Sequence, residues 1–187
     1  VIHSKSGLLR TCSFRLSLSN DCVSMQVSLP VSPVAVRDSY RNLKTFLIIY
    51  SKNIQTFPEK LHDLADEGLY GRYILEAYSE EELQMAGDMI CPERDRLFTY
   101  AGLELLLKRY VIHTRDGKPM ETPQEMFLGI ALHLAMQEKR DRMEWVQRFY
   151  DMLSRMEVTM ATPTMANARK PFYQLSSCFV DVVPDSL

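Results

Sequence analysis

The run Thr122-Pro123-Gln124-Glu125, followed by Met126, Phe127, Ile130, Ala131, Leu134 and Ala135, constrains this chain more than any other stretch. A threonine N-cap accepts from an orphan amide of the first turn, a proline at N1 gives up no hydrogen bond, and a glutamate at N3 reaches back to the cap amide. The apolar residues behind it fall at three- and four-residue intervals, which predicts a helix with one stripe on a core. After the charged Lys139-Arg140-Asp141, Trp145, Phe149, Leu153 and Met156 repeat at the same spacing. The two segments are expected to form an antiparallel helix pair whose Met and aromatic stripes are core rather than a cofactor box.

Other helix signals precede this pair. Pro58 opens a short helix over 58–66, and Gly68 is placed to close it. Ser79 with Glu82 fits a second capping box. Leu97, Ala101 and Leu105 line a further helical face ending near Lys108, and Tyr40, Leu43, Phe46, Leu47 and Tyr50 suggest another from about Val36. Only seven glycines and nine prolines interrupt the chain, which leaves room for long helices. Extended structure is expected in three places. Tyr110-Val111-Ile112-His113 leads into an Asp116-Gly117 turn, Val158 to Ala161 is broken by Thr162-Pro163-Thr164, and Leu175 to Val183 reads as a buried strand ended by Pro184-Asp185.

Residues 1–35 differ from the rest, with eight serines and one acidic residue, Asp21. That composition suits either an organellar transit peptide or flanking sequence with no fold of its own, and the lack of an amphipathic period favours the second. The chain begins at Val1 and stops at Leu187 after a strand-like run, so both ends are expected to be cut.

The formal charge of −2 argues against a general nucleic-acid or membrane-surface binder, since both need a clustered positive field. No run of 18 apolar residues exists to span a bilayer. Cys12, Cys22, Cys91 and Cys178 have neither zinc-knuckle nor C-x-x-C spacing, which suits free thiols in a reducing, cytoplasmic compartment. His3, His62, His113 and His133 have no ligand-like spacing, so no metal site is expected. Arg94-Asp95-Arg96 and Lys139-Arg140-Asp141-Arg142 read as solvated helix ends.

Three motifs crowd the last quarter: Ala161-Thr162-Pro163-Thr164-Met165-Ala166-Asn167-Ala168, Gln174-Leu175-Ser176-Ser177-Cys178-Phe179 and Pro184-Asp185-Ser186-Leu187. Upstream, in order, stand Glu67-Gly68-Leu69-Tyr70, Tyr78-Ser79-Glu80-Glu81-Glu82-Leu83, Arg94-Asp95-Arg96-Leu97-Phe98-Thr99-Tyr100 and Arg148-Phe149-Tyr150-Asp151. Taken together, from about Phe57 to Leu187, these motifs resemble the ribonucleotide reductase large subunit. Any one of them alone would be a weak signal.

The resemblance implies a mainly α fold with C-terminal strands: a helical N-terminal region over 57–156, then residues 157–187 as the start, with the first strand, of a ten-stranded α/β barrel. Residues 40–56 would be the trailing helix of a degenerate ATP cone, with no working activity site, and 1–39 stay unassigned. The family reduces the ribose 2′ carbon through a thiyl radical, and two further cysteines supply the electrons. Cys178 matches one of that redox pair, and a thiol can protonate leaving water and then share in a disulfide. Thr162 and Ser177, with Cys178, match substrate contacts. Asp185, Ser186 and Leu187 match the start of the specificity-effector site. On spacing alone, Cys178 would be a small buried hydrophobe, Thr162 a turn cap, Ser177 ordinary strand polarity and Asp185 a turn residue.

The implied cofactors and partners belong to a full-length protein. They are a ribonucleoside diphosphate substrate, ATP or dNTP effectors, a metal-containing radical-generating small subunit, a second large subunit as homodimer, and thioredoxin or glutaredoxin as reductant, with no nucleic acid and no membrane. The fragment itself is expected to bind no cofactor and to be inactive. Two other readings stay open: a non-catalytic helical interaction or nucleotide-binding remnant, and a cobalamin-dependent reductase of the same family.

Overall fold

The computed structural model describes residues 12–18 and 21–27 by their backbone, then 55–178 and Val180, Tyr100 again by backbone alone. The chain divides into two units, Val1–Lys44 and Thr45–Leu187. In the first, β1 (Cys12–Leu18) and β2 (Asp21–Val27) pair antiparallel, with Phe14 opposite Met25 and Leu16 opposite Val23. This hairpin departs from the expectation of sequence without a fold. Ser13-Phe14-Arg15-Leu16-Ser17 alternates with the period of two that a strand requires, a pattern a search for helical spacing passes over. The helix expected from Val36 to Tyr50 and nearly all of the proposed cone remnant at 40–56 lie outside the described residues.

The second unit is helical. Its elements are α1 (Phe57–Asp66), α2 (Arg72–Ala77), α3 (Glu80–Asp88), a 3₁₀ segment (Pro92–Leu97), α4 (Tyr100–Leu105) running into a π turn (Leu106–Tyr110), α5 (Pro123–Ala135), α6 (Arg142–Ser154) and α7 (Thr162–Asn167). None of the helices among the described residues is long and apolar enough to cross a membrane.

Helix α5 starts as its sequence dictates. The Thr122 hydroxyl accepts from the Glu125 amide at 3.2 Å, and the Glu125 carboxylate accepts from the Thr122 amide at 2.6 Å. The expected single stripe is too narrow, however, since every residue from Pro123 to His133 is buried, and Ala135 with them. α6 packs along one side of α5, while the 3₁₀ segment and the π turn contact it elsewhere. A fully buried Leu or Ile contributes about 1.5–3 kcal/mol, so Leu128, Ile130 and Leu132 make α5 the axis of the unit.

The polar residues of α5 are buried too, and each finds a partner. Lys60 of α1 donates to Glu125 at 2.7 Å and 2.9 Å, tying the capping glutamate to the neighbouring helix. Gln124 donates to Asp95 at 2.7 Å and accepts from the Tyr150 hydroxyl at 2.8 Å; that hydroxyl accepts in turn from the Cys91 amide. Arg94 lies over the Tyr150 ring and pairs with Asp151 at 2.7 Å. Arg94 and Asp95 are therefore not solvated helix ends, because both fall where α5 and α6 leave polar groups needing partners. Arg142 departs from that reading as well, with its guanidinium on Glu82 at 2.6 Å and 2.7 Å and on the Ala77 carbonyl at 2.7 Å.

Three boundaries differ from expectation. Leu97 and Leu105 are about half exposed, and Ala101 is exposed as well. The helix begins only at the Thr99 cap, and the π turn after it shifts the phase, so Leu106 and Leu107 face the core instead. On α6 the buried face is Val146, Tyr150 and Leu153, flanked by half-buried Trp145 and Phe149. Met156 falls past the helix end with a positive φ and is half exposed. Residues 175–178 form no strand and Ser176, Ser177 and Cys178 are exposed, because a strand needs a ladder partner and none pairs with them among the described residues. By contrast, the turn at Thr114–Gly117 and the closure of α1 at Gly68 follow the sequence, with φ +76° at Gly117 and +71° at Gly68.

Gly129 is a tight point in the packing of α5. A Cβ there would lie 2.4 Å from the Tyr70 hydroxyl and 2.7 Å from Arg169 Cδ. Gly129→Ala is expected to destabilise the unit by about 1–3 kcal/mol despite its better helix propensity. Urea unfolding read by circular dichroism checks this, and a neutral or stabilising result would show that α5 has room there.

Candidate functional site

The segment that carries Thr162 and Cys178 is fastened to the helical unit first of all through Arg169. Its side chain has no solvent exposure, and Glu121 beside it has 2%. Arg169 Nε donates to both Glu121 carboxylate oxygens at 3.0 Å, Nη1 to the Met165 carbonyl at 2.9 Å and Nη2 to the Tyr110 carbonyl at 2.8 Å; Nη2 also meets Glu121 Oε1. Glu121 Oε1 accepts from the Ile112 amide at 2.7 Å, and the Arg169 carbonyl accepts from the Gly71 amide at 2.9 Å. A buried ion pair is tolerable only when its remaining donors and acceptors are met in this way.

A second fastening lies one residue earlier. The Tyr73 hydroxyl donates to the Ala168 carbonyl, and His133 Nδ1 lies 2.9 Å from the same hydroxyl. A carbonyl can only accept, so the phenol proton is committed to it and His133 Nδ1 must carry the hydrogen that meets the phenol oxygen. Tyr173 packs its ring on both Tyr73 and His133, with centroids 4.6 Å and 5.1 Å away. Burial pushes the His133 imidazole below its ordinary value and the Tyr73 phenol above its own. Burial also lowers the Lys170 ammonium, with the neighbouring Arg169 charge adding to the effect. The Tyr70 hydroxyl, beside Gly129, is buried without a hydrogen-bond partner, and burial followed by the Glu121 charge raises it well above the usual range.

Thr162 opens α7, with Pro163 in its first turn. The Thr162-Pro163-Thr164 sequence does end the extended run, but it does so by starting a helix. Without Ser, Thr, Asp or Asn at the capping position, which is Ala161, that start carries only its proline as a signal. Thr162 is exposed, and its hydroxyl lies 3.3 Å from the Tyr110 hydroxyl. Beyond α7, Asn167 Nδ2 donates to the Gln174 carbonyl at 3.0 Å, and the Gln174 side chain accepts from the Ser176 amide at 2.9 Å, so the chain folds back on itself before the thiol.

Cys178 is a free, exposed thiol whose Sγ lies 3.8 Å from Ser177 Oγ. The structure thus brings Ser177 and Cys178 together, and no hydrogen bond among the described residues joins either to Thr162. Cys178 is not the small buried hydrophobe that its flanking residues suggest in isolation. Asp185, Ser186 and Leu187 lie outside the described residues. Sequence reasoning missed Arg169, Glu121 and Tyr110. Their one mark in the sequence, an arginine and a lysine side by side in a loop, looks like any solvated basic pair.

The helical architecture agrees with the family comparisons. Residues 96–173 match the family model described as the ribonucleotide reductase all-alpha domain. The chain is 62% identical over 135 residues to the ribonucleoside-diphosphate reductase subunit alpha of Treponema pallidum, covering 72% of this chain and 16% of that protein. To the subunit alpha of Helicobacter pylori strain 26695 it is 40% identical over 115 residues, 61% of this chain and 14% of that protein. To ribonucleoside-diphosphate reductase 1 subunit alpha of Escherichia coli K12 it is 33% identical over 136 residues, 70% and 18% respectively. The chain carries the all-α domain of the ribonucleotide reductase large-subunit family, and it spans less than a fifth of the length of these relatives.

Two tests address the fastenings. Glu121→Ala leaves the Arg169 guanidinium buried without its counter-charge and should cost about 3–5 kcal/mol in denaturant unfolding; a loss under one would mean the pair is not what holds the segment. For His133 the folded state binds its proton less readily than the unfolded chain, whose value is near 6.5. Stability is therefore full above that value and is lost as the pH falls below it toward the depressed folded value. Wild type should lose more of its unfolding midpoint between pH 7 and pH 5 than His133→Gln does. Parallel curves for the two proteins would contradict a buried neutral imidazole.

Proposed function

We propose that this chain is part of the catalytic subunit of a ribonucleoside-diphosphate reductase, which makes deoxyribonucleotides by reducing the ribose 2′ position. The observation that carries this is the 62% identity over 135 residues to a reductase alpha subunit. In the proposed reaction a thiyl radical removes the 3′ hydrogen, and the 2′ hydroxyl leaves as water after taking a proton from a thiol. Two thiols then give up two electrons and become a disulfide, and the 3′ hydrogen is returned. Cys178 is assigned the thiol that faces the departing hydroxyl. Its exposure and the adjacent Ser177 hydroxyl support this, since the sulfur must reach both a sugar and a second sulfur.

Thr162 and Ser177 are assigned to substrate oxygens, and Asp185, Ser186 and Leu187 to a nucleoside triphosphate effector. Uncharged hydroxyls suit the first task because they donate and accept without titrating. Residues from 157 onward are read as the start of the catalytic barrel, where strand neighbours would supply the ladder that residues 175–178 lack here. The radical would come from a small metal-containing subunit, the effector site would sit in a dimer of large subunits, and a thioredoxin or glutaredoxin would reduce the disulfide. Residues 1–187 alone hold one matched redox thiol and should reduce no nucleotide.

Expressed as the full open reading frame containing these residues, with its radical-generating subunit and a dithiol reductant, the protein should convert ribonucleoside diphosphate to product. Cys178→Ala should abolish repeated turnover while the circular dichroism spectrum stays the same. Normal turnover by that variant would remove Cys178 from the chemistry, and no turnover by the unsubstituted protein would remove the reductase reading.

A further inference from the structure

Tyr110 occupies a place that the proposed reaction does not account for. It ends the π turn, and each of its ends is held by a different group. The carbonyl accepts from the buried Arg169 at 2.8 Å, the ring has the Arg109 guanidinium 5.8 Å from its centre, and the hydroxyl lies 3.3 Å from Thr162 Oγ1. Arg169 also reaches the other end of α7, since Nη1 donates to the Met165 carbonyl at 2.9 Å. The helix that Thr162 opens is thus gripped by Arg169 near its last turn and touched by Tyr110 at its first residue. Both contacts trace back to one guanidinium that is itself fixed by Glu121.

We propose that Tyr110, clamped through its carbonyl by Arg169, is a positioning residue that orients the Thr162 hydroxyl for the substrate, an inference that rests on Thr162 being a substrate contact. The chemistry sets the direction. A phenol is a better hydrogen-bond donor than an alcohol, so Tyr110 donates to Thr162 Oγ1. The single Thr162 proton then points away from the phenol, where a substrate oxygen can accept it. A threonine with no such neighbour would rotate its hydroxyl among three staggered positions, and substrate would have to select one of them. Tyr110 therefore acts on binding. Its hydroxyl meets no atom that changes bonding, and its loss should leave the chemical step alone.

The experiment uses the full reading frame assembled with its radical-generating subunit and measures steady-state kinetics and thermal unfolding together. Tyr110→Phe keeps the carbonyl that Arg169 holds and removes only the oxygen that meets Thr162. It should raise KM for the ribonucleoside diphosphate roughly two- to tenfold, the reach of one hydrogen bond, with kcat and the unfolding midpoint kept. Thr162→Val should raise KM by at least as much, Thr162→Ser should restore it, and the Tyr110→Phe/Thr162→Val double variant should be no worse than Thr162→Val alone. Arg169→Lys, which removes the planar fork, should raise KM and lower the midpoint; if it fails to fold, Tyr110→Phe still decides. A wild-type KM in Tyr110→Phe, or KM effects of the two substitutions that multiply, would overturn the positioning role while leaving the reductase reading intact. Absence of nucleotide reduction by the unsubstituted assembly would overturn both, and the two failures are told apart by that control.

Discussion

One guanidinium buried against one carboxylate holds the segment after α6 to the helical scaffold. Removing an ion pair from water is costly, and it persists only where every remaining donor has an acceptor. Around Arg169 those acceptors are the carbonyls of Met165 and Tyr110 together with the Glu121 carboxylate, so three separate parts of the chain are fixed by one side chain. Glu121 stands immediately before the cap of α5, the most deeply buried helix, and the pair inherits its rigidity from the core rather than from its own charges.

That arrangement divides the molecule by role. The helices from α1 to α6 bury the apolar faces and absorb their own polar groups, as in the Gln124, Asp95 and Tyr150 chain and the Lys60 pair with Glu125. The described residues after α6 contribute little to that core beyond Met165 and Ala168, and leave hydroxyls and a thiol exposed. A rigid support with exposed groups at its edge suits the site proposed above, whose groups must be held in place yet remain reachable.

The sequence made the scaffold legible where local rules act alone. The capping boxes at Ser79 and Thr122 and the Asp116-Gly117 turn depend on neighbours a few residues apart, and each stands where its pattern puts it. The phase of the helical face at Leu97 to Leu105 was illegible, because a π turn has no distinct hydrophobic spacing and moves the buried positions to Leu106 and Leu107. For the proposed site, Thr162, Ser177 and Cys178 are assigned by their resemblance to ordered motifs. Arg169 and Glu121 were not, because 48 residues separate them and charge alone does not announce a buried pair. Residues 175–178, the described start of the strand expected over Leu175 to Val183, form none for a related reason: β-branched composition records a preference for a sheet, whereas forming one needs a neighbour.

The π turn bears on how this chain can change length. Between Leu106 and Val111 the backbone bond spans five residues instead of four, with the Val111 amide reaching the Leu106 carbonyl at 3.1 Å. One residue of an α-helix corresponds to about 100° of rotation. Loss or gain of a single residue here would swing Tyr110 around the axis and aim its carbonyl away from the guanidinium that now receives it. Insertions and deletions that surface loops accept readily would be excluded from these five positions, and the segment should keep a fixed length even where its side chains drift.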